Sequence, residues 1–275
     1  MRLQVLGVRG STAAPGPSFV RYGGHTACVA VWTGDEADPT LLLDAGTGLR
    51  AVPQVLGAGR PFVGTVALSH LHWDHVQGLP FCPAVDHDQS QVRVILPAQN
   101  HKSGFDLLAQ SMSPPAFPID PSGLRGDWRF DAVDVGHVDA STPSIEAFAV
   151  AHKGGRTFGY RVDADGRSLA YVPDHAPQAG VSEATLDVLH GVDVLVHDAQ
   201  FLSHESVVAD AYGHATVEGA LELAAKVSAG RLVLFHHAPG RTDDALDAIA
   251  AEVGERNGRG VERVVVAAEG MTIEV

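Results

Sequence analysis

Three imidazoles and one carboxylate fall within the six residues His70-Leu71-His72-Trp73-Asp74-His75, directly after the apolar run Phe62–Ser69. A run of that kind predicts a buried strand. A strand end holds the backbone rigid, so the residues that follow it can aim their side chains into one pocket. Imidazole nitrogen and carboxylate oxygen suit Zn(II), Mn(II) or Fe(II). Four such groups so close in sequence can hardly all serve one tetrahedral ion. The spacing points instead to two adjacent ions, with His70 and His72 on one and Asp74 and His75 on the other. A solvated polar turn is the plain alternative, and the apolar strand immediately before the cluster argues against it.

Two ions need more ligands, and the chain is rich in candidates, with 15 histidines in 275 residues. Several stand at the ends of other apolar runs. His152 follows Ser144–Ala151 and precedes Gly154-Gly155. Asp174 follows Ser168–Val172, and His236 and His237 follow Arg231–Phe235. Any one of these alone is more often a structural or surface residue. Separate strand ends in a chain that already carries the cluster argue jointly for ligands.

The rest of the chain predicts strands at Arg2–Val8, Ala27–Thr33, Thr40–Asp44, Val92–Leu96, Arg129–Val135, Arg156–Val162, Val192–Val196 and Arg263–Ala267. Helices are expected at Leu49–Leu56, with Pro53 near its start, and at Phe105–Gln110, Glu183–His190, Thr216–Ser228 and Asp243–Glu255. Ser113–Pro121 holds four prolines and is expected to be irregular. Consecutive strands fill the first half, and strands alternate with helices in the second. That order predicts an α/β (α+β) layered fold rather than a doubly wound sheet. With neither linker nor repeat, residues 1–275 read as a single domain.

Composition removes several function classes. Acidic residues number 33 against 19 Lys and Arg, a formal charge of 19 − 33 = −14, which disfavours binding a long nucleic acid by counterion release. No apolar stretch approaches the roughly 20 residues of a membrane helix. Met1–Gly10 is too short and polar for a secretory signal. Cys28 and Cys82 cannot form a disulfide framework and read as thiols of a reducing, cytoplasmic compartment. Gly46-Thr47-Gly48-Leu49-Arg50-Ala51 fits a loose dinucleotide pattern, but that is a weak signal, and no nucleotide cofactor is expected.

The cluster resembles the His-x-His-x-Asp-His motif of the metallo-β-lactamase superfamily. Leu42–Gly48 is similar to the strand and Asp-Gly turn upstream of that motif, and the resemblance spans essentially the whole chain. Within the superfamily, four stretches look like a phosphodiesterase branch that includes the tRNA 3′-processing ribonucleases and cyclic-phosphate phosphodiesterases. They are Arg9-Gly10-Ser11 through Arg21–Thr26, Asp74–Phe81, His197-Asp198-Ala199-Gln200 and Tyr212-Gly213-His214-Ala215-Thr216. Asp198 stands where that branch has Glu, Gln200 where it has Thr, and Ala215 where it has Ser. The resemblance implies an αββα sandwich with two metal ions at one edge, zinc foremost, with manganese or iron as alternatives. It implies His70, His72 and His152 on one ion, and Asp74, His75 and the last histidine on the other, with Asp174 bridging. His236 aligns better than His237 as that last ligand, which leaves His237 free to face substrate. A homodimer is common among the resembling proteins.

A water bridging two ions becomes a nucleophile near neutral pH. Asp74 would accept its proton, His214 would protonate the leaving alkoxide, and Asp198 would orient His214. His214 could also be a mere helix-start residue beside the Thr216 cap. His197 reads as a supporting residue. The expected activity is hydrolysis of a small, possibly cyclic, phosphodiester, because the extended arm of the tRNA-processing relatives has no counterpart here. The alternatives are a metal-dependent carboxylic ester, lactone or thioester hydrolase, and a non-catalytic metal sensor. The Gly-rich loop Arg9–His25 is a candidate to line the pocket, and residues 101–127 are expected to cover or flank its mouth.

Overall fold

A computed structural model describes residues 1–139, 143–254, 261 and 263–275. The first half of the chain forms β1 (Arg2–Gly7), β2 (Cys28–Trp32), β3 (Leu41–Leu43), β4 (Val63–Ala67), β5 (Gln91–Pro97) and β6 (Asp127–Val133). The second forms β7 (Gly136–Asp139), β8 (Ser144–Val150), β9 (Thr157–Ala164), β10 (Arg167–Val172), β11 (Val194–Asp198), β12 (Arg231–Phe235) and β13 (Arg263–Val266). The last strand, β14 (Thr272–Glu274), returns to the first sheet. One sheet has the order β14-β1-β2-β3-β4-β5-β6 and the other β13-β12-β11-β10-β9-β8-β7. Strands β3 to β6 run parallel, as do β10 to β13.

The side-chain period of two builds the layers. Leu41 and Leu43 of β3 face the space between the sheets, where they meet Phe158, Tyr160, Tyr171 and Phe235. Leu42, between them, points outward under Leu49, Val52, Leu107 and Leu108. β12 does the same, with Val233 and Phe235 inward and Leu232 and Leu234 outward. The helices are α1 (Val52–Leu56), α2 (Trp73–Val76), α3 (Gly104–Ala109), α4 (Glu183–Leu189), α5 (Ser206–Tyr212), α6 (Val217–Lys226) and α7 (Asp243–Gly254). α1 and α3 cover the first sheet, and α4, α6 and α7 the second. The architecture is therefore the αββα sandwich expected. Among the described residues, no helix is long and apolar enough to cross a membrane.

Several local expectations change. Leu49–Leu56 divides into a 3₁₀ turn, Thr47–Ala51, and α1, with Pro53 in the first turn of α1, where its missing N–H costs no helical bond. The strand expected at Val192–Val196 starts at Val194 and extends to Asp198. The Val192 carbonyl accepts from Gly230, and the ladder to β12 starts at Val194. The expected helix end at Glu255 lies outside the described residues. Thr216 caps α6 by accepting from Gly219 N at 3.1 Å. Sequence periodicity did not predict α5, whose apolar residues Val207, Val208 and Tyr212 face solvent. It also missed β7 and the three-residue β14.

The strands that matter for chemistry, β4, β8, β10, β11 and β12, bring their C-terminal ends to one edge of the sandwich. Truncating Leu232, fully buried between β12 and the outer helices, should cost about 2–5 kcal/mol of stability, read from urea unfolding of Leu232→Ala. The same change at Val207, which is 80% exposed, should stay within about 0.5 kcal/mol.

Candidate metal centre

The segment after β4 is extended through His72 (φ −65°, ψ 150°) and then turns into α2. Extended backbone places His70 and His72 on one side and sends Leu71 against the core of the first sheet. The helical turn then buries Asp74 and His75 and leaves Trp73 exposed. The local sequence thus delivers four donors to one pocket by a change of backbone period.

β8, β10 and β12 bring in the rest. Donor atoms of His70, His72, His152 and Asp174 lie within 4.8 Å of one another, and so do those of Asp74, His75 and His236. Asp174 stands between the two groups. Its Oδ2 is 3.5 Å from His152 Nε2 and 3.7 Å from His70 Nε2. Its Oδ1 is 3.0 Å from His75 Nε2 and 3.1 Å from His236 Nε2. Asp74 Oδ2 is 3.3 Å from both His75 Nε2 and His236 Nε2. His72 faces the first group through Nδ1, 3.3 Å from His152 Nε2. A Cβ on Gly154 (φ +91°) would lie 2.6 Å from His72 Nε2, so only glycine fits there.

Most of these rings are held from behind. His75 Nδ1 donates to Asp44 Oδ2 at 2.7 Å, and His152 Nδ1 donates to Gly213 O at 2.7 Å. His236 Nδ1 donates to Gln200 Oε1 at 2.9 Å. Ser69 Oγ donates to Asp44 Oδ2 and so accepts from His70 Nδ1 at 3.0 Å. A proton fixed on Nδ1 leaves Nε2 as a bare lone pair. The Nε2 lone pairs of His70, His75, His152 and His236 and the Asp174 oxygens therefore converge on one another. Buried His70 Nε2 and Asp174 Oδ1 make no hydrogen bond. Lone pairs facing each other at 3 Å are unfavourable without a shared cation, so the donor set fits divalent metal ions.

Electrostatics agree. Asp44, Asp74, Asp174 and Asp198 are all buried. Burial pushes the Asp74 and Asp174 carboxyls upward, yet the surrounding histidines hold both well below the usual carboxylate range. Burial disfavours charge on His75, but Asp174, Asp74 and Asp44 together hold it well above its ordinary value, so the carboxylates call for a positive charge at Nε2 that a proton or a metal ion can supply. Burial depresses His70, His72 and His152, so these rings favour the neutral form that ligates a metal.

His214 lies over both groups, its ring 4.8 Å from that of His152 and 5.2 Å from that of His236. Its Nδ1 donates to Asp198 Oδ2 at 2.8 Å. Burial opposes its charge, but Asp198, with Asp174 and Asp74 behind it, raises it to about 9. The same Asp198 oxygen accepts from His175 N and Ala215 N, and Oδ1 accepts from Gln200 N. Asp198 is the last residue of β11. His197 supports from beneath, with Nδ1 on Asp198 O at 2.7 Å and Nε2 on His175 Nδ1 at 3.0 Å.

His237 does not face the pocket. Its Nε2 donates to Ala267 O at 2.9 Å, and burial drives its pKa down to about 3. The neighbouring His236 has φ +58°, which breaks strand alternation and turns one histidine toward the donors and the next away. The loop after β1 does line the site, since Ser11 N donates to Asp74 Oδ2 at 2.6 Å. In the segment 101–127, Phe117 meets Phe81 edge-on at 5.8 Å, and just before it Gln99 Oε1 accepts from Arg156 N. Met112 is buried, and Trp128 stacks on Phe130.

Sequence reasoning passed over Asp44, Ser69 and Gln200 as site residues. Asp44 (φ +60°) is fully buried and accepts from Ser69 N, Ser69 Oγ, Tyr171 Oη and His75 Nδ1. The available signal was an acidic residue closing an apolar strand just before a glycine.

Residues 40–237 match the family model described as the beta-lactamase superfamily domain. The ribonuclease Z of Natronomonas pharaonis is 24% identical over a gapped alignment of 256 positions that covers 75% of this chain and 80% of that protein. A diphosphatase from the PhnP family superposes with a TM-score of 0.71 at 17% identity, covering 100% of this chain and 97% of its own. Zinc-bound PqqB from Methylobacterium extorquens superposes with a TM-score of 0.71 at 20% identity and covers both chains fully.

The two adjacent histidines after β12 should separate cleanly. After zinc loading and dialysis, His236→Ala should hold less metal per chain than the parent, by elemental analysis. His237→Gln should keep the parent's metal content and lose thermal stability instead, because its buried bond to Ala267 O is weakened.

Proposed function

The chain belongs to the beta-lactamase superfamily, and we propose that it is a binuclear phosphodiesterase that hydrolyses a small phosphodiester, cyclic ones included. The observation that carries this is Asp174, whose two oxygens face two nitrogen sets, with the His214–Asp198 pair directly above. In this assignment His70, His72 and His152 hold one divalent ion and Asp74, His75 and His236 the other, with Asp174 shared between them. Zinc is the first choice, since zinc readily takes mixed imidazole and carboxylate ligands. Bound there, the ions would lower the pKa of water and offset charge on the phosphoryl oxygens.

The chain's own residues supply the proton handling. Ser11 N holds Asp74 Oδ2, and we assign the proton of the attacking water to Asp74 Oδ1. His214 is committed to Asp198 through Nδ1, so its acidic proton for the leaving alkoxide sits on Nε2. Asp198 keeps that ring charged and oriented, held in turn by the amides of His175, Ala215 and Gln200. An imidazolium placed to protonate an alkoxide favours a phosphodiester over a carboxylic ester, whose breakdown asks less of the leaving group. The formal charge of −14 favours a small substrate over a long polyanion. Residues 1–275 act as one domain in this proposal, because both sheets contribute ligands. The free, buried Cys28 and Cys82 suit a cytoplasmic setting.

Chelator-stripped protein should not hydrolyse bis-p-nitrophenyl phosphate. Re-supply of zinc or manganese should restore turnover, and Asp74→Ala should abolish it. Turnover of carboxylic esters or lactones alone would replace this function with the esterase alternative.

His214→Ala separates the two further. On a phosphodiester with an alkyl leaving group, kcat should fall by about 10²–10⁴-fold, the usual contribution of general acid catalysis. On the p-nitrophenyl ester the loss should be much smaller, because p-nitrophenolate departs without a proton. Equal rates for variant and parent on both substrates would remove His214 from the mechanism.

A further inference from the structure

Behind the second ligand group lies a buried amide to which neither the reaction nor the fold assigns a role. Gln200 is 5% exposed and follows β11 by two residues. Its Oε1 accepts from His236 Nδ1 at 2.9 Å. Its Nε2 donates to Ser11 Oγ at 3.1 Å. Ser11 in turn donates its backbone N–H to Asp74 Oδ2 at 2.6 Å. One side chain is therefore linked to two ligands that reach the pocket from opposite sheets.

The surroundings fix the position of that amide. Gln200 N donates to Asp198 Oδ1 at 3.0 Å, and Arg241 Nη2 donates to Gln200 O at 3.2 Å, so the backbone is tied on both sides. Gly10 lies flat against the contact. A Cβ there would sit 2.4 Å from His236 Nδ1 and 2.8 Å from Gln200 Oε1. Ser11 adopts φ +63°, a left-handed conformation that a non-glycine residue takes only when its neighbours impose it. Turning the amide over would put its NH₂ against the His236 N–H and keep only the Ser11 contact, with the hydroxyl then donating. With Nδ1 donating to Gln200 Oε1, His236 keeps Nε2 bare and aimed at Asp74, His75 and Asp174.

We propose that Gln200 is the positioning residue of the second ligand set, its oxygen fixing His236 and its nitrogen fixing Asp74 through the Gly10-Ser11 turn. The inference rests on the two-ion assignment above. Outer partners of ligating histidines typically set metal affinity by about 10–100-fold. The effect here is confined to one ion, because His70 and His152 of the first set are held by Ser69 and Gly213 instead.

The test titrates metal-free protein with zinc against a chromophoric chelator, which resolves the two affinities. Gln200→Met keeps length and removes both hydrogen bonds. It should weaken one zinc site by about 10–100-fold, leave the other at the parent value and leave the metal-free melting temperature close to the parent's. Gln200→Glu retains an acceptor for His236, can accept from the Ser11 hydroxyl, and should restore the weakened site. Ser11→Ala removes the bond that ties the amide to the loop holding Asp74 and should weaken the same site alone, which decides the matter if Gln200→Met fails to fold. Unchanged zinc affinity in Gln200→Met, equal loss at both sites, or no rescue by Gln200→Glu would overturn the positioning role. A parent protein that binds no zinc would overturn the two-ion assignment itself, a result distinct from any of these.

Discussion

Four carboxylates, Asp44, Asp74, Asp174 and Asp198, are shut away from water at one edge of the sandwich. An unpaired buried carboxylate costs several kcal/mol even after the protein relaxes around it, so each needs a positive charge or a set of donors. Asp44 and Asp198 are satisfied within the protein by backbone amides, hydroxyls and one imidazole each. Asp74 and Asp174 are not satisfied in the same way. They face the Nε2 atoms of imidazoles whose Nδ1 protons are committed elsewhere, and they favour a positive charge there. That division separates carboxylates that shape the pocket from carboxylates that wait for cations. The histidines, the strand ends and the tight turns are arranged around it.

The sandwich makes the arrangement rigid by tying its two sheets together just beneath the pocket. Tyr171 of β10 donates to Asp44 at the end of β3, and Tyr160 of β9 donates to Leu68 O beside the cluster. Phe158 N reaches Ser69 O across the same gap. These bonds hold His70 and His75 from the first sheet at a fixed distance from Asp174 and His236 of the second. Such contacts lie in an apolar interior where hydrogen bonds are strong and substitutes are scarce. The metal site and the core are therefore one continuous construction.

The departures from the resembling phosphodiesterase motifs have physical consequences. Asp198 is shorter than the Glu it replaces, yet from the last position of β11 it still accepts from His214. Gln200 is longer than Thr, and that length lets one amide span from His236 to Ser11. The Gly10-Ser11 turn accommodates it because Gly10 has no Cβ to collide with the ring.

Much of this was legible from order and spacing. The cluster at His70–His75 declared itself because all its donors sit in one short segment, where backbone period alone decides which side chains share a face. His152, Asp174 and the end of β12 were legible because strand ends are readable as breaks in apolar runs. The layered αββα architecture followed from the resemblance and from the strand-then-helix order. The tertiary structure decided what depends on groups distant in sequence or on single dihedral angles. It turned His236 rather than His237 toward the other donors through one left-handed residue, which no periodicity encodes. It made Asp44 the support of His75 across 31 positions, and it joined Gln200 to Ser11 across 189. A donor's identity is local chemistry and is written in the residue type. The direction of its lone pair depends on what holds the other nitrogen, and only the folded chain brings that partner within reach.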